Sequence, residues 1–298
     1  SVVYQQYISD TPTTIVSNLK DDGYTCIAMH PYYETGWSRN LVYPHIGFDE
    51  MHFIDYFDQT KILREYITDQ ELYDKIIKRY ENRKNNEKLF FMGITMQNHG
   101  GYTETYDNFP ENYYKVGRSY TDANQYLSLV HESDEAVKNL ISYFSKVDDP
   151  VEIIFFGDHQ PSLNSNFYPI LNGKGLTGLT EDELEKLYTV PFFIWTNYDT
   201  PEETVDITSL DYLSTMALER AGIELPAYNK FLADMQEVVP AINSRGYYSK
   251  SKGCYLHIDE AEAEEKEWIE KYHMLQYNSM FDKKNRSSFF FPYNLKSK

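Results

Sequence analysis

Residues 24–40, YTCIAMHPYYETGWSRN, decide the fold. YTCIAM is an apolar run too short for a helix and reads as a strand, which breaks at His30-Pro31 into a polar and aromatic loop. Just upstream, TPTTIVSNLK (11–20) opens on a Thr cap signal and sets Ile15 and Leu19 one helical turn apart. Asp21-Asp22-Gly23 supplies the turn between them. Helix, turn, strand and functional loop thus follow one another within thirty residues.

The alternation continues downstream. Residues 69–80 read as a helix with Leu72, Ile76 and Ile77 on one face. LFFMGITM (89–96) is an uninterrupted apolar run, the pattern of a strand buried on both faces. Residues 120–146 form the clearest helix, with Leu127, Val130, Val137, Leu140, Ile141 and Phe144 at 3/4 spacing. Asp134 falls on that stripe and is expected to point inward to a buried hydrogen-bond partner. VEIIFFGDH (151–159) and VPFFIWTN (190–197) are two more buried-strand patterns, and ITSLDYLSTMALERAG (207–222) is a helix ending in Gly. Such alternation predicts an α/β core with a mainly parallel central sheet flanked by helices, over residues 1–235. Residues 236–298 read as a small α+β appendage. A hairpin spans Gly246-Tyr247-Tyr248 and Gly253–Ile258. An acidic helix follows, with Trp268, Tyr272, Leu275 and Tyr277 as apolar contacts and AEAEEKE as a solvated face, then a basic, aromatic tail.

Composition narrows the function. The net charge of -18 over 298 residues argues against wrapping nucleic acid and fits poorly with peripheral binding to anionic lipid through this segment. With 41% hydrophobic and 16% aromatic residues, general disorder is excluded. No apolar run approaches the ~20 residues of a transmembrane helix. The opening SVVYQQYISD has neither an initiator Met nor a signal-peptide pattern, and the chain is expected to be a soluble segment of a longer protein. Cys26 and Cys254 have no CxxC neighbour and read as two buried structural thiols.

In a parallel sheet, ligands gather at the carboxyl ends of the strands. Three predicted strands end there in a His-bearing cluster: His30, Gln97-Asn98-His99 and Gly157-Asp158-His159. Asp158 and His159 are a carboxylate and an imidazole that can ligate one divalent cation, or equally cap a helix or bridge loops. The loop His30–Asn40 carries an imidazole, the Trp37 indole and the Arg39 guanidinium, whose fork matches phosphate oxygens. A surface loop with an ordinary Arg and a packed Trp is the plainer alternative.

Taken together, His30-x6-Trp37-x-Arg39, Tyr43, Gly47-Phe48-Asp49, Ile94–His99 and Phe156–His159 resemble the lipoteichoic acid synthase family. These are phosphoglycerol transferases of the alkaline phosphatase/sulfatase superfamily. The resemblance runs through residues 1–235. It implies that Asp158 and His159 are metal ligands, with manganese (Mn2+) the usual divalent cation. It also implies that His30, Trp37, Arg39 and His99 hold the phosphate and glycerol of the substrate. All six, placed at strand ends, are expected to serve one pocket. In the family a Thr attacks phosphatidylglycerol, forms a glycerophosphoryl-enzyme and passes glycerophosphate to the hydroxyl of a polyol or glycolipid acceptor. The nucleophilic Thr and a Glu ligand are expected upstream of this chain, since Thr11, Thr13 and Thr14 read as an N-cap cluster. The segment would then be inactive alone and would face the exterior of a bacterial cell membrane, anchored by upstream helices. Two alternatives remain: a sulfatase or phosphodiesterase of the same superfamily, and an inert glycerophosphate-binding module. Sulfatases typically carry a Cys or Ser signature that is not found here.

Overall fold

A computed structural model describes residues 3–8, 12–109 and 120–292. They fall into two compact units, one within Ser1–Asp148 and Pro161–Gly173, the other within Asp149–Gln160 and Lys174–Tyr293.

In the first unit a short α1 (Val3–Tyr7) precedes α2 (Ile15–Asp21). Thr14 caps α2, its Oγ1 accepting from the Ser17 amide at 3.4 Å while the Ser17 hydroxyl accepts from the Thr14 amide at 2.9 Å. The expected Thr cluster is therefore a cap at Thr14, while Thr11 lies outside the described residues. Gly23 takes φ +82° and turns the chain into β1 (Tyr24–Met29). The order is β2 (Glu50–His52), β1, β5 (Lys88–Gly93), all parallel. A small antiparallel pair, β3 (Ile62–Leu63) and β4 (Tyr66–Ile67), lies between β2 and β5 in sequence. Flanked by strands on both sides, β1 buries Cys26, Ile27, Ala28 and Met29 completely or nearly so. The Gly47-Phe48-Asp49 motif is structural: Phe48 is buried, and Asp49 accepts from the Cys26 amide (2.9 Å) and the Lys20 ammonium (2.8 Å). Between β1 and β2 runs α3 (Arg39–Ile46), and between β2 and β5 runs α4 (Asp69–Glu81). The latter is capped by Thr68 and buries Leu72, Tyr73 and Ile76. A Cβ at Gly93 would meet Ile76 at 3.3 Å, so the strand and helix approach as closely as glycine permits.

Two expectations for this unit need correcting. β5 is not buried on both faces; Met92 is exposed, because β5 lies at the edge of the sheet and has no second partner strand among the described residues. Asp134 on α5 (Thr121–Phe144) points outward. The inward stripe is turned toward Ala123, Leu129, Ala136, Leu140 and Phe144, and Ser133 is among the polar residues that α5 buries. The Ser133 hydroxyl donates to Asp69 Oδ2 at 2.6 Å. A short α6 (Tyr168–Asn172) completes this unit.

In the second unit β6 (Glu152–Phe156) and β7 (Phe192–Thr196) pair with each other, antiparallel rather than parallel, and are half-buried rather than enclosed. α7 (Glu181–Glu185) precedes β7. Next come α8 (Leu210–Arg220), α9 (Ala227–Val238), the expected hairpin β8 (Gly246–Ser249) with β9 (Cys254–His257), and α10 (Ala263–Met280). One core joins Tyr212 of α8, Leu232 and Met235 of α9, Tyr247 of the hairpin, and Ile269 and Tyr272 of α10. Glu265 of the acidic run is no mere solvated residue, since it accepts from the Ser249 (2.7 Å) and Tyr247 (3.0 Å) hydroxyls. Tyr277, expected to pack inward, is 61% exposed because α10 turns it to the side away from this core. Cys26 is buried as expected, whereas Cys254, on a two-stranded hairpin, is only half-buried. No helix among the described residues is long and apolar enough to cross a membrane.

Candidate active site

His30 sits where β1 ends. Its amide donates to His52 O (2.9 Å), and its ring Nδ1 lies 2.9 Å from Ile94 O, just past β5. A carbonyl only accepts, so Nδ1 carries the proton and Nε2 presents a lone pair. Nε2 is buried and has no partner among the described residues, and the residue as a whole is 1% exposed. Burial pushes the imidazole down to about 4, with the Arg39 and His99 charges adding to the effect and the Ile94 bond opposing it. His30 is therefore a neutral imidazole whose buried Nε2 is able to accept a hydrogen bond.

The loop after it is built for proximity. A Cβ at Gly36 would stand 2.9 Å from the Tyr32 ring, so only glycine fits. Trp37 and Ser38 then take φ of +53° and +56°, two consecutive non-glycine residues in the left-handed region. Each costs about 1–2 kcal/mol relative to ordinary backbone, strain of the kind that clusters at ligand sites. The strain lays the Trp37 indole beside the His30 ring (6.0 Å between centroids), the Tyr32 ring (5.8 Å) and the His99 ring (5.9 Å). Arg39 opens α3, with its guanidinium 4.5 Å from the centre of the Trp37 ring. Its Nε donates to the Tyr43 hydroxyl (3.0 Å) and one terminal nitrogen to Gly36 O (3.3 Å). Arg39 is buried, and no ion pair joins it to a carboxylate among the described residues. His30, Trp37, Arg39 and His99 are thus gathered in the first unit.

Sequence reasoning missed three residues of this cluster. Tyr32 and Tyr66 flank Trp37 and His99, and the Tyr66 hydroxyl lies 3.3 Å from His99 Nδ1. Arg64, buried at a left-handed turn between β3 and β4, donates to the carbonyls of Gln97 (2.9 Å), His99 (2.8 Å) and Gly101 (2.9 Å) and to Gln125 (3.1 Å). It organises the loop that carries His99. The only sequence signal was an Arg set between the apolar pairs Ile62-Leu63 and Tyr66-Ile67.

His30 also makes a measurable pH signature. The native ring refuses a proton that the unfolded chain accepts below pH 6.5, so acid favours unfolding. This contribution is complete above pH 6.5 and lost as pH falls to about 4. Asp69, whose carboxyl burial raises to about 6, works in the opposite direction, so wild type must be compared with a His30 variant. The stability difference between wild type and His30→Gln is expected to shift against wild type by about 3 kcal/mol from pH 7 to pH 4. Urea unfolding at both pH values reads this, and a constant difference would mean that His30 is protonated in the fold.

Asp158 and His159 belong to the second unit, at the exit of β6. Gly157 is needed there for packing, since a Cβ would stand 3.0 Å from Val190. Asp158 Oδ1 accepts from the His159 amide (2.8 Å), and His159 Nδ1 lies 2.9 Å from Gln160 O. That carbonyl makes Nδ1 the protonated nitrogen of the neutral ring and turns the Nε2 lone pair toward Asp158 Oδ2, 3.5 Å away. Two exposed lone-pair donors facing each other fit a shared divalent cation. No group of three or more candidate ligands occurs among the described residues.

Residues 1–223 match the sulfatase family model, and the chain belongs to that family, within the alkaline phosphatase/sulfatase superfamily. It is 25% identical, over 98% of its length and 46% of the relative's, to a Rhizobium meliloti protein named for cyclic beta-1,2-glucan modification. A lipoteichoic acid synthase of Staphylococcus saprophyticus is 30% identical over 47% of this chain and 22% of its own. Among solved structures, the Streptococcus pyogenes phosphoglycerol transferase GacH, in complex with sn-glycerol-1-phosphate, superposes with a TM-score of 0.71. That match has 20% identity over 94% of this chain and 67% of that one, and it supports the α/β fold. The chain spans about half or less of the length of these curated relatives.

Proposed function

We propose that the chain forms the larger part of the catalytic domain of an extracellular, membrane-anchored, metal-dependent phosphoglycerol transferase. It would move glycerophosphate from phosphatidylglycerol, or a related lipid, to an acceptor hydroxyl through a Thr-linked intermediate. The observation that carries this reading is the buried Nε2 of neutral His30, without a partner among the described residues, beside an Arg39 guanidinium that no carboxylate among them neutralises. Such a pair asks for a ligand with both a hydroxyl to donate and anionic oxygens to receive, which glycerophosphate supplies and a bare sulfate does not. The similarity to a glucan-modification protein favours a glycan or other polyol acceptor.

In this reading Arg39 and His99 hold phosphoryl oxygens as charge builds on them, and His30 orients the glycerol. The Trp37 indole walls the pocket. Asp158 and His159 would hold Mn2+ or another divalent cation, whose Lewis acidity would screen the phosphate and acidify the attacking hydroxyl. The nucleophilic Thr and a Glu ligand would come from sequence outside these residues, so the chain alone is inactive. In this reading residues 1–235 would carry the sulfatase-like core, with the hairpin and helix of 236–298 packed on its α8 and α9.

The test is release of diacylglycerol from labelled phosphatidylglycerol by the complete enzyme with Mn2+, run beside an aryl sulfate. Diacylglycerol release without sulfate hydrolysis is expected. Faster sulfate hydrolysis would replace this reading with a sulfatase.

A further inference from the structure

The end of the second unit carries a surface that the catalytic reading does not use. Met274, Tyr277 and Phe281 are exposed at i, i+3 and i+7, one stripe along the last turns of α10. The chain then folds back. Asn278 donates to Asn285 O (3.0 Å) and accepts from the Ser287 amide (2.8 Å), while Phe290 and Phe291 pack on Phe231 and Tyr228 of α9. This anchoring leaves Phe289 72% exposed. A groove of about 560 Å³ runs between the helix and the returning segment, lined by Met274, Tyr277, Asn278 and Phe290 among others. Exposed aromatics on a built loop differ from scattered surface apolar residues.

The local charge is opposite to that of the molecule. Residues 281–298 hold five basic residues and one acidic residue in a chain of net charge -18, and α10 is acidic only in its first half. Lys283 and Lys284 are exposed beside the aromatic stripe, with Arg286 half-buried. Aromatic rings rimmed by cations match the interface of an anionic bilayer: rings enter at headgroup level and ammonium groups meet lipid phosphates. A second copy of the chain fits less well, because a two-fold contact through this patch would set the lysines of both copies against each other.

We propose that Met274, Tyr277, Phe281 and Phe289, with Lys283 and Lys284, form a docking surface for the headgroup region of an anionic lipid membrane. The surface is independent of the active-site reading, and vesicle binding tests it without any turnover.

The 298-residue chain is expected to sediment with vesicles of equimolar phosphatidylglycerol and phosphatidylcholine, but only weakly with phosphatidylcholine alone, and to release in high salt. Lys283→Glu with Lys284→Glu should weaken binding at least about tenfold, each charge being worth about fivefold. Phe281→Ser with Phe289→Ser should do the same. If the aromatic pair disturbs folding, the exposed lysine pair decides alone. Absence of vesicle binding, equal binding to neutral vesicles or indifference to the lysine pair would each overturn the proposal. So would a dimer that the aromatic pair dissolves while vesicle binding persists.

Discussion

Asp158→Ala is expected to lower kcat/KM of the complete enzyme by at least about three orders of magnitude, and to abolish its Mn2+ binding. The side chain is exposed and its Oδ1 accepts from the next amide, so its loss removes a ligand without disturbing a core. Calorimetry supplies the companion result. The 298-residue chain, offering one carboxylate and one imidazole, should bind Mn2+ weakly, because two protein ligands leave a hard cation mostly hydrated. It should also turn over no chromogenic phosphodiester. A chain extended to include the proposed Glu ligand should bind orders of magnitude more tightly. Tight binding by the 298 residues that survives His159→Ala would mean that the metal is held elsewhere. Turnover by these residues alone would mean that the nucleophile lies within them.

Arg39→Ala is the second large effect, a loss of about a hundredfold to a thousandfold in kcat for the complete enzyme. The guanidinium is fixed on three sides, by the Tyr43 hydroxyl, by Gly36 O and by the Trp37 ring, and so would meet the proposed phosphoryl oxygens without reorganising. Arg39→Lys should recover little, since an ammonium can neither fork nor stack as a guanidinium does. Folding stability should fall by only about 1–2 kcal/mol, the worth of the two hydrogen bonds lost. Activity that drops no further than this loss of folded protein explains would reduce Arg39 to a brace for its loop.

Much of this was legible in the sequence, and the exceptions have physical causes. The periodicity of residues 69–80 and 120–146 located α4 and α5, and the run YTCIAM located the central strand. His30, Trp37, Arg39 and His99 were readable because their spacing carries the resemblance. The direction of β6 against β7 was not readable, because an apolar run states burial and says nothing of the orientation of its partner. Asp134 misled because a stripe read at 3/4 spacing drifts around a helix of 3.6 residues per turn over 24 residues, and Val130 itself proved exposed. Arg64 was invisible for a different reason: its partners are backbone carbonyls more than thirty residues away, which leave no mark on side-chain pattern.

The left-handed pair at Trp37 and Ser38 bears on how this protein could be improved or spoiled. Selection for heat tolerance alone would reward glycine in place of Ser38, since glycine adopts that backbone without steric strain. The same substitution would let the indole and the start of α3 wander, converting a template set at folding into one that each ligand must assemble afresh. A thermostabilised lineage with glycine at position 38 should therefore melt later and recognise its ligand more slowly and less selectively.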